Sequence, residues 1–253
     1  MAVADTTYAP GMIDGAGRDL DWEGCCNVRD LGGLPTVDGR VTRRGAVVRA
    51  DTLDGLTSAG WAALLDHGVR EVVDLRNDDE RGADAAPRPP DVTAVHVPLD
   101  ASEDREFWDV WESGPQFATP LYYRPHLDRF PERSVAALRA IARAGPGGVA
   151  VHCVGGRDRT GQVALLALAL AGVAPAAIAA DYALSGERLR RLYAARGEED
   201  QGALVEAFLA RRGTTAPELV VALLAELDVE SHLRAGGLSG EDVAALRRRL
   251  LGP

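Results

Sequence analysis

A chain of 253 residues with 46% hydrophobic content has enough apolar material for one large α/β domain, or for a core domain with a helical extension, and two fully independent domains are not expected. The net charge of -10 excludes a protein whose main task is to coat a nucleic-acid polymer, since binding a phosphate backbone needs a broad basic surface. No run approaches the roughly 20 apolar residues that span a bilayer, and the N-terminus lacks a basic-then-apolar leader, so integral membrane association is not expected. A soluble, cytoplasmic protein is the reading, with secretion without a signal peptide as the other route. Cys25 and Cys26 are adjacent and Cys153 stands alone, which is too few and too poorly spaced for a disulfide framework and fits a reducing compartment.

In chain order, Met1 to Glu23 shows no sustained period and reads as an N-terminal arm, with the folded domain at 24–253. Ala46 to Arg49 is predicted as a strand, Thr57 or Ser58 as the cap of a helix ending near His67, and Glu71 to Leu75 and Thr93 to Leu99 as further strands. Arg81 to Pro90 is rich in Pro and charge, as a surface connection would be. From Asp100 to Pro131, Phe107, Trp108, Trp111, Phe117, Tyr122 and Tyr123 lie among Pro and Gly without a period, as a substrate wall or as packing of an irregular insertion. A helix follows Pro131 and ends near Ala144, then a Gly-rich turn, the strand Val149 to His152, and a helix Thr160 to Leu170 apolar nearly all round. The rest is predicted helical: Ala176 to Leu184, Glu187 to Ala195, Gln201 to Arg211, Pro217 to Leu227 and Glu241 to Leu251, with 186–253 forming an extension or lid.

The chemistry concentrates where the strand ending at His152 runs through Cys153, Val154, Gly155, Gly156, Arg157 and Asp158 into Arg159, Thr160 and Gly161. A thiol attacks only as thiolate, and a helix N-terminus with a nearby cation lowers its pKa from about 8.5. The same converging N–H groups suit a phosphate dianion, and Gly155 and Gly156 let the backbone bend around it. Arg159 offers a planar, permanently charged fork for two phosphate oxygens. Thr160 is expected to donate its hydroxyl to the sulfur, and His152 to orient the loop through its ring N–H. Nucleophilic catalysis also needs a proton donor for the leaving oxygen and a base for water, roles open to Asp158 in the loop and to Asp100 just past a strand.

With those residues in place, Asn27 to Gly33, Arg44-Gly45, Val48-Arg49, Val72 to Arg76, the His-Cys loop and Asp181 to Ser185 together resemble the bacterial tyrosine-phosphatase-like family, from about Asn27 to the C-terminus. The resemblance implies a mostly parallel central sheet flanked by helices, with additional C-terminal helices. It implies activity on phosphotyrosine, often on phosphoserine or phosphothreonine, and in some members on phosphoinositides. It makes Asp158 the favoured general acid and Asp100 the alternative. Arg157 departs from the lysine usual there, keeping the charge but broadening the group.

Asn27, Arg29 and Asp30 are expected to support the loop rather than react. Arg49, Asp74 and Arg76, at the carboxyl ends of strands, are expected to form supporting ion pairs or to contact substrate. Cys25 and Cys26 could protect Cys153 as a disulfide partner after oxidation. His67, His96, His126 and His232 show no metal-ligand spacing, and no metal or cofactor is expected. The sequence thus points to a phosphomonoesterase acting through a phosphocysteine on a phosphorylated protein. A small-molecule phosphomonoester is the alternative substrate, and a silent phosphate-binding module or sulfur or arsenate chemistry are competing classes.

Overall fold

The computed structural model describes residues 17–253. Its sheet holds β1 (Arg29–Asp30), β2 (Val47–Ala50), β3 (Val69–Asp74), β4 (Thr93–His96) and β5 (Gly148–His152) in the order β1-β2-β5-β3-β4. Only β1 runs antiparallel to its neighbour; β2, β5, β3 and β4 are parallel. The register sets Ala50 and Asp74 on either side of His152, so three strands end together at one edge. That edge is where open α/β sheets carry their ligands.

The period of two along each strand divides the apolar side chains between two layers. Val48, Val72 and Ala150 pack with Trp22, Leu53 and Trp61 under α1 (Ser58–Asp66). Val47, Val73, Val149 and Val151 face the larger layer. That layer contains α4 (Pro131–Arg143) and α5 (Arg159–Leu170), where every residue except Ala169 is buried. Burial on all sides explains why α5 is apolar all round. No helix among the described residues is long and apolar enough to cross a membrane.

Several elements differ from expectation. The two helices predicted at 176–184 and 187–195 are one continuous helix, α6 (Pro175–Arg196). Ser185 uses its hydroxyl on two arginines of the core, and Gly186 has no positive φ, so the pair lowers helix propensity without turning the chain. Within 100–131 lie α2 (Arg105–Trp111), capped by Asp104, and α3 (Tyr123–Arg129). Two turns apiece are too short to show a period. Their aromatic rings pack on one another, with Trp108, Tyr122 and Tyr123 buried, while Phe117 remains half-exposed and stacked on Tyr122. Downstream come α7 (Gly202–Ala210), α8 (Ala216–Glu226), the unpredicted α9 (Val229–Ala235) and α10 (Gly240–Leu251). Of the segment read as an arm, residues 1–16 lie outside the described residues; Arg18 and Trp22 belong to the buried interior.

Candidate active site

The loop Cys153 to Asp158 links the central strand β5 to the buried helix α5. Each of its carbonyl oxygens accepts a hydrogen bond from outside the loop. His152 Nδ1 lies 3.2 Å from that of Cys153, and the Thr52 N–H donates to Val154 at 3.0 Å. Asn27 donates to Gly155 at 2.9 Å, Arg49 to Gly156 at 2.8 Å and to Arg157 at 3.5 Å, and the Tyr123 hydroxyl to Asp158 at 2.7 Å. With the carbonyls turned outward, the N–H groups are left to converge on the inside, which is the geometry of an anion nest. The N–H of Gly156 donates to the Cys153 sulfur at 3.3 Å. Gly156 has φ +68°, and a Cβ there would sit 2.5 Å from the Ala50 carbonyl oxygen, so glycine is required.

Cys153 lines a cavity of about 270 Å³ together with Arg157, Asp158, Arg159, Asp100 and Glu80. Its walls include Phe117 and Tyr122 on one side and Leu189, Leu192 and Tyr193 of α6 on the other. The Arg159 fork is engaged by both carboxylate oxygens of Glu80, one at 2.6 Å, and by Asp100 at 3.2 Å. Glu80 is itself held by the Asn77 N–H at 2.8 Å in a capping box. Burial would raise the Glu80 pKa, but the hydrogen bond and charge of Arg159 outweigh it and hold it low. For Asp100 burial prevails: its carboxyl is pushed up to about 6 despite Arg159, with Glu80 adding to the rise. Asp158 is paired with its neighbour, accepting from Arg157 Nε at 3.1 Å.

Behind the loop lies a buried charge cluster. Asp181, on α6, accepts from Arg18, from Arg29 at 3.0 Å and from Arg49 at 2.7 Å. Arg29 also donates to Asn27 at 2.6 Å and Ser185 at 2.9 Å. Burial would raise the Asp181 pKa, yet the three guanidinium groups hold it well below the carboxylate range. Arg29 is lowered to about 9 by burial and by the charge of Arg49. The cluster therefore ties β1, β2 and α6 to the carbonyl side of the loop.

The other sequence-selected residues divide. Asn27, Arg29 and Arg49 reach the loop or the groups that hold it. Asp30 does not: it binds the N–H groups of Gly32 and Gly45 and the His67 ring, and so fixes a turn. Asp74 and Arg76 form an ion-pair network with Asp54, and Asp74 lies 3.6 Å from His152 Nε2. Burial lowers the His152 pKa to about 4, so its ring is neutral at pH 7. The expected donation from Thr160 to sulfur is not made. The Thr160 hydroxyl is buried with no hydrogen-bond partner among the described residues, and the Gly156 N–H serves the sulfur instead. Cys25 and Cys26 line a neighbouring cavity with Val154, Arg76 and Glu80; burial pushes the Cys25 thiol up.

Sequence reasoning missed Glu80, Asn77 and Arg18. The Asn-x-x-Glu spacing at 77–80 was the available signal for the first two. Arg18 had none, lying in a segment without period.

Comparison with known proteins identifies the family. A candidate tyrosine-protein phosphatase of Cupriavidus necator is 33% identical over 194 residues, covering 74% of this chain and 70% of that protein. The triple specificity protein phosphatase PtpB of Mycobacterium tuberculosis is 30% identical over 199 residues, covering 68% and 70%. A tyrosine-protein phosphatase of Nostoc commune is 33% identical over 146 residues, 57% of this chain and 49% of that protein. The tyrosine phosphatase family profile matches residues 20–252, so it spans the Cys153 loop, Arg29, Arg49 and Asp181 of the charge cluster, and the C-terminal helices. The chain therefore belongs to the tyrosine phosphatase family of phosphoric monoester hydrolases.

Proposed function

We propose that the chain is a cysteine-dependent protein tyrosine phosphatase that forms a phosphocysteine at Cys153. The observation carrying this reading is the loop whose carbonyls are all bonded outward while an N–H and Arg159 face the sulfur side. The thiolate attacks phosphorus, forming an S–P bond as the ester P–O bond breaks, and a carboxyl proton goes to the leaving oxygen. Water then attacks phosphorus, the S–P bond breaks, and the same carboxylate takes the water's proton as phosphate is released. Arg159 follows the equatorial oxygens through both steps. To do so it exchanges its Glu80 partner for the phosphoryl group, so binding draws on the 77–80 turn. The half-exposed Phe117 ring, stacked on Tyr122 at the cavity wall, favours an aryl ester.

Rapid quenching during turnover of p-nitrophenyl phosphate should show a burst of nitrophenol and a phosphoryl adduct on the peptide containing Cys153. Turnover with no adduct and no burst would defeat the covalent reading.

Asp100 is the better acid on this geometry. Burial, with the nearby charge of Glu80, keeps its proton to about pH 6 even with Arg159 3.2 Å away. A raised carboxyl pKa means the acid form is present below about pH 6 and is lost as pH rises through it. Accordingly kcat/KM should fall above about pH 6, and Asp100→Asn should flatten that basic limb while lowering the rate by roughly 10²–10⁴-fold. If Asp158→Asn flattens the limb and Asp100→Asn does not, the assignment reverses.

A further inference from the structure

A cleft of about 750 Å³ lies between α6, α7 and α8 and shares Arg157 and Ala118 with the cavity around Cys153. The cavity itself, about 270 Å³, is too small for more than the phosphorylated group, so the remainder of a substrate must leave through an adjoining space. One neighbouring cavity, where Val154 and Leu192 share the lining with Asp51, Asp54, Arg76 and Glu80, has the denser charge. The α6–α8 cleft is different. Ala183, Gly186, Val205, Leu209, Ala216 and Pro217 make its walls, small residues alternating with aliphatic ones, with Arg157 at the inner end.

We propose that this cleft receives a bulky apolar side chain of a phosphotyrosyl protein substrate, adjacent to the phosphorylated residue. The proposal rests on the phosphatase reading above and adds a specificity determinant to it. Its rim carries Glu206 and Glu218, and the chain has a net charge of -10, so an anionic lipid surface is poorly matched where a neutral or basic peptide segment is well matched. Ala183 and Gly186 lie on the same exposed stretch of α6, and a Cβ added at Gly186 would meet nothing within 4 Å. The free space is therefore directly in front of a helical position that accepts a side chain without strain.

Synthetic phosphotyrosyl peptides with Leu or Phe near the phosphotyrosine should be hydrolysed on the order of 10-fold or more faster, in kcat/KM, than the same peptides with Ser there. Each rate is normalised to p-nitrophenyl phosphate with the same protein, so that a disturbed loop cancels. Gly186→Phe should bring the apolar preference close to one, and Ala183→Phe, which fills the cleft from a second position, should do the same. Three results would overturn the proposal: no preference in the wild type, a preference that survives both fillings, or sensitivity to the fillings only with a phosphoinositide in micelles. Absence of p-nitrophenyl phosphate turnover in the wild type would instead defeat the hydrolase reading.

Discussion

Cys153→Ser is expected to lower turnover of aryl phosphates by on the order of 10⁴-fold or more while leaving the fold and phosphate binding in place. The reason is chemical rather than steric. Sulfur and hydroxyl oxygen differ little in size, and the loop is held by its own carbonyl oxygens, whose hydrogen-bonding partners lie on His152, Thr52, Asn27, Arg49 and Tyr123, none of which the substitution touches. A hydroxyl near neutral pH is almost never the alkoxide, so the attacking species is lost although the dianion site survives. Single-turnover kinetics and calorimetric binding of a phosphotyrosyl peptide would separate the two. A variant that binds normally and does not turn over is the expected result. A variant that retains turnover within tenfold would remove Cys153 from the chemistry.

The largest effect on stability is expected at Asp181. Replacing it by Asn preserves shape and leaves Arg18, Arg29 and Arg49 buried around a neutral amide. Breaking a buried pair by deleting one partner costs about 3–5 kcal/mol, because the remaining charge is left without compensation. Here three cations share one anion, and the lowered pKa of Arg29, about 9, reflects how burial and mutual repulsion already press on the cluster. Urea denaturation should show a loss in that range for Asp181→Asn, and the double variant Asp181→Asn/Arg29→Met should recover part of it. A loss under about 1 kcal/mol would mean that the guanidinium groups find other partners or water. Activity at low temperature should fall as well, since Arg29 and Arg49 position Asn27 and the Gly156 carbonyl.

The strands around β5, helices α4 and α5, and the Cys153 loop were legible because their signals are local: a period of two, a period of 3.6, and a spacing that repeats one piece of chemistry. The edge of the sheet where Arg49 and Asp74 end was legible for the same reason. Glu80 was not, because its meaning depends on a contact with Arg159 across 79 residues of chain. The aromatic stretch 100–131 hid two helices of seven residues each, too short for periodicity and held by ring packing around His126. The break read at Ser185-Gly186 failed for a tertiary reason. Ser185 is engaged by Arg29 and Arg49, and that engagement keeps the helix going where propensity alone would end it.

Because α6 is unbroken, it acts as a cantilever. α6 is clamped at Asp181 and again at Arg188, which donates to the Val28 carbonyl at 2.9 Å, and Tyr193, five residues further and about 7.5 Å along the axis, lines the Cys153 cavity. A tilt of about 5° at the second clamp displaces Tyr193 by roughly 0.7 Å, nearly half of one residue's helical rise. The height of the ceiling over the reacting atoms is thus set by side chains on the far side of the loop, and drift in the Arg–Asp181 packing between related chains would retune substrate clearance with no change to any residue the substrate touches.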